Sequence, residues 1–252
     1  MPMFRELEAL APRVYMFPRD ETPNTIQPNI GVLRLKNQTI LIDAGNSPRH
    51  ARQIMAAMAG EDFASIETII YTHHHWDHTF GAATFNASTI VAQSQNSNIM
   101  ANYATRPWGV QYLREELYRD PQREVSLHAM MDAIPDWREF RICQPTITFN
   151  KILTLYYDGL TLELEAVGGR HASDSLIVRI PEAGVMFVGD SYYPPPSHLH
   201  EEDDIDLALP MMESFLSDDY HIYVDGHGAP RSRSEFEQVI AYEKKRQGLL
   251  EL

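Results

Sequence analysis

The sequence predicts a mixed α/β (α+β) chain in which two β-sheets pack together beneath outer helices. Strand-like apolar runs fill the first and the last thirds, and helix-like stretches lie between and after them. With 252 residues, 44% of them hydrophobic and none arranged in a repeat, the chain can bury a large core without covalent staples. Strands, helices, strands and helices in that order fit two sheets with helices outside.

The elements follow in order. Arg13–Phe17 and Asn29–Leu35 run or alternate apolar, and Thr39–Asp43 follows a Lys-Asn-Gln turn, so the last two read as a hairpin. Arg49–Ala59 reads as a helix that Gly60 stops. Ile66–Tyr71 is a strand, Phe80–Phe85 a short helix, Thr89–Ala92 a strand and Ser94–Tyr103 a helix. Residues 105–145 read as a mostly helical insertion: Val110, Leu113, Leu117 and Tyr118 keep helical spacing, and Pro107, Pro121 and Pro135 punctuate it. It is either a helical layer of the core, a lid whose aromatic residues Trp108, Tyr112 and Trp137 wall a pocket, or a dimer surface. Strands return at Thr146–Phe149, Leu153–Tyr157, Thr161–Val167, Leu176–Ile180, Val185–Val188 and Ile222–Val224. Asp204–Leu216 reads as a helix that Pro210 breaks or restarts, and Ser232–Leu249 as the last helix. One domain over residues 1–252 is expected.

Composition narrows the setting. Cys143 is the one cysteine, so no disulfide forms within the chain and a reducing, cytoplasmic compartment is expected. The opening MPMFRELEALAPRVYMF lacks the apolar stretch of a secretory leader, and no apolar run reaches membrane-spanning length. A net charge of -14 repels a phosphate backbone. The expected partner is therefore a small-molecule substrate, not nucleic acid or a membrane, with a dimer compatible.

The stretch THHHWDHTFG, Thr72–Gly81, carries four histidines and an aspartate within six residues. His73 and His75 are two apart at the end of a strand, where period 2 puts both on one face and turns His74 away. Asp77 and His78 follow after the chain has turned. A catalytic metal takes about three protein ligands and an open position, so each pair needs partners downstream. His171 in GGRH, Asp190 in FVGD and His227 in DGHG each follow a strand beside glycines that let the backbone approach a crowded centre. One metal ion would take His73, His75 and His171, the other Asp77, His78 and His227, and Asp190 would bridge them. A lone histidine after a strand is usually a surface or capping residue, and Asp190 alone could cap a helix; the conjunction with HHHWDH is what favours ligands. His50, His128 and His221 lack such loops and are expected at the surface or in packing. His198 and His200 in PPPSHLH are expected to face solvent.

The segment His73-x-His75-x-Asp77-His78, followed by His171, Asp190 and His227 in that order, resembles the metallo-β-lactamase superfamily. The resemblance runs from NIGVLRLKNQTILIDAG to DGHGAP and leaves only the insertion outside. It implies a four-layer αββα sandwich with a dinuclear centre at one edge of the sheets. It implies a hydrolase whose bridging hydroxide cleaves a small ester, lactone, thioester or phosphoester, with Asp77 both ligand and candidate for orienting the nucleophile. Zinc is the expected metal, with iron and manganese compatible. Asp43 in LIDAG matches a position that supports the loop or a ligand histidine.

Within the family the sequence leans one way. A bridging aspartate at Asp190 is foreign to the zinc β-lactamases, so β-lactam cleavage would be a minor side reaction. His75 disfavours the flavo-diiron proteins, and a mononuclear iron oxidoreductase resembling the persulfide dioxygenases is the alternative. Tyr193, three residues after Asp190, matches the tyrosine with which the acyl-homoserine lactonases touch substrate. Arg231, Arg233, Lys244, Lys245 and Arg246 offer basic residues of the kind with which glyoxalase II holds glutathione, although a helix C-terminus attracts them anyway. A non-catalytic module that keeps metal for stability is the third class.

Overall fold

The computed structural model describes residues 5–22, 24–199, 205–217 and 219–249. The first sheet has seven strands in chain order: β1 (Glu8–Ala11), β2 (Val14–Phe17), β3 (Ile30–Arg34), β4 (Thr39–Ile42), β5 (Ile66–Ile70), β6 (Thr89–Gln93) and β7 (Ile147–Phe149). β1 to β4 pair antiparallel, with the expected hairpin joining Gly31 to Ile42 and Arg34 to Thr39. From β4 onward the pairing is parallel, so each link needs a crossover. The helices α1 (Pro48–Met58), α2 (Trp76–Thr79), α3 (Ala82–Phe85) and α4 (Ser94–Ala104) supply those crossovers.

The second sheet has six strands: β8 (Ile152–Tyr157), β9 (Leu160–Ala166), β10 (Leu176–Ile180), β11 (Val185–Gly189), β12 (Ile222–Asp225) and β13 (Arg231–Ser232). Its spatial order is β13-β12-β11-β10-β9-β8. β11 and β12 are parallel, and α7 (Leu209–Phe215) makes the crossover between them. The last helix is α8 (Arg233–Arg246).

Three buried clusters define four layers. Val14, Leu33, Ile42, Ile70, Leu162, Val178 and Phe187 meet between the sheets. Ala51, Ile54 and Met58 of α1 cover the outer face of the first sheet at Leu41 and Ile69. Met212 and Phe215 of α7 and Phe236 and Ile240 of α8 cover the outer face of the second at Met186 and Val188. Strands β4 and β11, apolar at nearly every position, are buried on both faces as continuous apolar runs should be. Each fully buried Leu, Ile or Val contributes about 1.5–3 kcal/mol relative to exposure. The chain thus has the expected αββα sandwich.

The helices carry local signals. Ser47 caps α1, its side chain accepting from His50 N at 3.1 Å, with Pro48 opening the helix. Ser232 and Glu235 form a reciprocal capping box on α8.

Some expectations need correction. The short helix expected over 80–85 is found at Ala82–Phe85, and a further one-turn helix, Trp76–Thr79, precedes it within the histidine stretch. The helix expected from Asp204 begins at Leu209, since Pro210 suits only a first turn; Asp204 lies outside the described residues, as does His200. The last helix stops at Arg246. The strands β1 and β13 were not expected: one is short and half-exposed, the other two residues long, and neither has a readable period.

The insertion is helical, with α5 (Val110–Arg119) and α6 (Glu124–Ala133). It serves as a core layer: Leu113, Leu127 and Met130 pack with Trp76 and Phe80. It also walls a cavity, described next.

Candidate metal centre

The candidate ligands all leave the ends of strands at one edge of the sandwich. His73 to His78 follow β5, His171 follows β9, Asp190 follows β11 and His227 follows β12. The structure brings all seven together. His73 Nε2 lies 3.0 Å from His75 Nδ1, which lies 2.9 Å from His171 Nε2. Asp77 Oδ2 lies 3.3 Å from His78 Nε2 and 3.1 Å from His227 Nε2. Asp190 Oδ2 stands between these groups, 3.3 Å from His171 Nε2, 3.4 Å from His78 Nε2, 3.3 Å from His227 Nε2 and 4.0 Å from His73 Nε2.

Hydrogen bonds behind the rings decide where their lone pairs point. His78 Nδ1 lies 2.7 Å from Asp43 Oδ2 and His171 Nδ1 lies 2.8 Å from the Pro194 carbonyl, so both Nδ1 atoms donate. Thr72 Oγ1 spends its proton on Asp43 Oδ2 at 2.8 Å, so His73 Nδ1, 3.1 Å away, donates to that hydroxyl. In the neutral rings, His73, His78 and His171 then aim Nε2 lone pairs inward. Such lone pairs repel at these distances unless a cation sits among them. His78 Nε2 and Asp190 Oδ1 are buried without any hydrogen-bond partner, which a protein seldom tolerates without reason. Donor atoms about 2.1 Å from a tetrahedral ion lie about 3.4 Å apart, close to the spacings here. The groups His73/His75/His171, His73/His78/Asp190 and Asp77/His78/His227 can each hold a metal ion.

Electrostatics divide the ligands: burial opposes charge on His78, but Asp77, Asp43 and Asp190 outweigh it and hold that ring well above the usual histidine range. Burial disfavours charge on His73 and His75 and holds both well below the usual histidine range, as ligands require. Burial also opposes charge on His227, but Asp190 and Asp77 outweigh it and push its pKa up to about 10. Burial would raise Asp190, yet His227 and His78 hold it well below the carboxylate range. Two buried carboxylates demand positive charge here.

Further residues hold the ligands. Asp43, in the left-handed region at φ 67, accepts from Thr72 N at 2.7 Å as well as from Thr72 Oγ1 and His78. His74 turns away from the cluster and bonds Asp174 Oδ1 at 2.7 Å, while Asn96 Nδ2 donates to Asp174 Oδ2 at 2.8 Å. Asp225 accepts from Tyr192 Oη, Arg231 Nη1 and Gly228 N, and Asn29 Nδ2 ties the carbonyls of Asp225 and Gly228 at 2.8 and 2.7 Å, which fixes the loop carrying His227. Sequence reading missed Asp174, Asp225 and Asn29. Only the first two carried any signal, an acid in HASDS and one beside the glycines of DGHG.

A cavity of about 400 Å³ opens onto the site, reaching His75, Asp77, His171, Asp190 and His227. Tyr193 lines it, its ring 6.1 Å from that of His171 and 6.4 Å from that of His227. Trp108 lines it too, whereas Trp137 and Tyr112 pack around Trp108 and do not reach it. His198 lines the cavity rather than facing solvent, because the loop after Asp190 folds back over the site. His50 is fully buried against Phe17, and His128 and His221 are exposed. The basic residues of β13 and α8 are engaged elsewhere: Arg231 pairs with Asp225, Arg233 with Glu237, Lys244 with Glu213 and Arg246 with Asp206. None of them, nor Lys245, lines the cavity, so the glutathione-holding reading has no support. A larger cavity, about 740 Å³, lies between α1 and Arg5, remote from the cluster.

Known proteins are similar to this chain in sequence or in fold. The 2,4-dinitroanisole O-demethylase subunit alpha of Nocardioides sp. (strain JS1661) is 26% identical over 209 residues, 79% of this chain. The chain spans about half the length of that relative, 52%. A stereoselective inverting sec-alkylsulfatase from Pseudomonas sp. superposes with a TM-score of 0.66 at 14% identity, covering 94% of this chain and 40% of that one. A metallo-beta-lactamase family protein from Thermus thermophilus superposes at 0.62 and 20% identity, covering 94% and 81%. No helix among the described residues is long and apolar enough to cross a membrane. The sequence model of the metallo-beta-lactamase superfamily matches residues 23–228, across both sheets and every residue of the cluster, and the chain belongs to that superfamily.

Proposed function

We propose that this chain is a metal-dependent hydrolase of a small ester, lactone, thioester or phosphoester, with two metal ions in the His73/His75/His171 and Asp77/His78/His227 groups. The observation that carries the reading is the position of Asp190 Oδ2, within 3.4 Å of His78, His171 and His227 at once. The ions, zinc foremost, would supply a nucleophile at neutral pH and polarise the scissile oxygen. Asp77, with one oxygen between His78 and His227, orients the attacking water and accepts its proton. Asp43 holds the His78 ring in its tautomer. Tyr193 lines the cavity, in keeping with the lean toward a lactone, while its hydroxyl donates to Asp225. The apolar cavity walls exclude bulk water, which strengthens every charge interaction inside.

A second reading has its own support. The O-demethylase relative acts, by its name, on an aryl methyl ether, and the cavity here is lined by aromatic residues. Aryl ethers and aryl esters therefore belong in the substrate set. The test is turnover by zinc-, manganese- and iron-loaded protein on lactones, thioesters, phosphodiesters, aryl esters, aryl methyl ethers, alkyl sulfates and β-lactams, with Asp77→Ala alongside. Turnover of one class that falls by about 10²–10⁴ in Asp77→Ala supports the reading. One iron per chain with oxygen consumption would replace it with an oxidoreductase.

A further inference from the structure

The half of the cavity away from most candidate ligands is lined largely by the insertion and its approach. Trp76, Tyr103, Trp108 and Met130 form its walls, with Val125 57% exposed and Leu199 61% exposed at its mouth. Its aromatic wall is braced from behind. Trp108 Nε1 donates to the Tyr103 carbonyl at 2.7 Å, its ring packs edge-on to Phe80 at 4.9 Å, and Trp137 lies parallel to it at 6.4 Å. A wall fixed this way presents flat apolar surface at little entropic cost.

Two guanidinium groups share that half. Arg106 sits with its Cζ 4.3 Å from the Tyr103 ring centroid, its Nη2 donates to the neutral Asn102 Oδ1 at 3.0 Å, and no carboxylate among the described residues lies within 4.0 Å of it. Among the described residues Arg123 pairs with Glu116 alone, at 3.3 Å, and that carboxylate is already held by Arg119 at 2.7 Å. Arg123 Nε is buried with no hydrogen-bond partner. In a chain of net charge -14, Arg106 without a carboxylate partner among the described residues and Arg123 sharing Glu116 with Arg119 leave this half of the cavity with positive charge not fully matched.

We propose that this half of the cavity selects substrates with a flat aromatic body that bears an anionic substituent, held by Arg106 and Arg123 against the Tyr103–Trp108 wall. The assignment names a substrate class for the hydrolase proposed above and rests on that reading for its reaction, but not for its binding. Guanidinium groups pair anionic oxygens by charge-assisted, two-pronged hydrogen bonds and stack on aromatic faces.

The test is calorimetric titration of the zinc-loaded full chain with 2-naphthoate, the neutral 2-naphthylmethanol, the cationic 2-naphthylmethylamine and the non-aromatic cyclohexanecarboxylate. Naphthoate is expected to bind about tenfold or more tighter than each of the others. The preference should vanish in Arg106→Met/Arg123→Met and largely persist in Arg106→Lys/Arg123→Lys. Equal affinities overturn the proposal, and so does a preference that survives the double methionine replacement, which would put the carboxylate on the metal ions. Where replacement at Arg123 unfolds the insertion, Arg106→Met alone and the same series on metal-free wild type decide: a preference untouched by Arg106→Met, or lost with the metal, overturns the proposal. Binding is read without turnover. Arginine-dependent preference with no hydrolysis would sink the reaction and keep this assignment, whereas hydrolysis without preference would do the reverse.

Discussion

At Asp43 the backbone and the side chain do separate work. Its left-handed φ of 67 lets the loop turn after β4, and its carboxylate accepts from Thr72 N, Thr72 Oγ1 and His78 Nδ1. Asp43→Ala leaves those donors buried and unpaired, at about 1–3 kcal/mol each. It should lower metal affinity by about 10–100-fold, as loss of a ligand's supporting acid does, measured by chelator competition; unchanged affinity would show that His78 needs no such support. Gly226 makes a second residue-scale case: a Cβ there would come within 2.0 Å of Asp190 Oδ1. Gly226→Ala should displace that carboxylate and lower the melting temperature, at about 1–3 kcal/mol of overpacking; a variant with full metal content and unchanged melting would refute the close approach. His50 supplies a pH dependence. Burial, with Arg5 and Arg49 nearby and Asp20 and Asp77 opposing them, pushes its pKa down from 6.5 to about 3. Below pH 6.5 the unfolded chain takes up a proton that the folded chain refuses, so stability is lost as pH falls toward 3. The loss is about 1.4 kcal/mol per pH unit within that window. Urea midpoints of metal-free protein at pH 4 to 7 should therefore fall more steeply for wild type than for His50→Gln, and parallel curves would count against it.

At the scale of elements, the expected separation of His74 from His73 and His75 holds, although these residues lie in the bend after β5 and not on the strand itself, and the structure ties His74 to Asp174. The hairpin of β3 and β4, helix α1 and most strands of the second sheet were equally legible, because their hydrophobic period and their turn residues are local. What was not legible is non-local. Asn29 and Asp225 are 196 residues apart and meet only once the two sheets pack. The loop they fix carries His227, so Asp225→Ala should release Arg231 and Tyr192 and cost chiefly the ion of the Asp77/His78/His227 group. Metal content should fall from about two ions to about one per chain while the sandwich persists by circular dichroism; retention of both ions would show that the loop holds His227 unaided.

For the whole molecule, the sequence order of strands and helices suggested two sheets, and the ligand motif, through its resemblance, implied four layers. The spatial order β13-β12-β11-β10-β9-β8 was not readable, because strand order depends on crossovers and not on any residue pattern. That order is what places His171, Asp190 and His227 at one edge, facing the loop after β5. The acidic surface and the pocket with Arg106 and Arg123 likewise become related only in the folded chain. If the two proposed metal-binding groups share Asp190, metal content depends on that one carboxylate. Zinc-loaded protein, freed of loose metal and measured by plasma mass spectrometry, should hold about two ions per chain and Asp190→Ala about one or none. A wild-type chain that binds a single ion, or an Asp190→Ala variant that keeps two, would contradict the account.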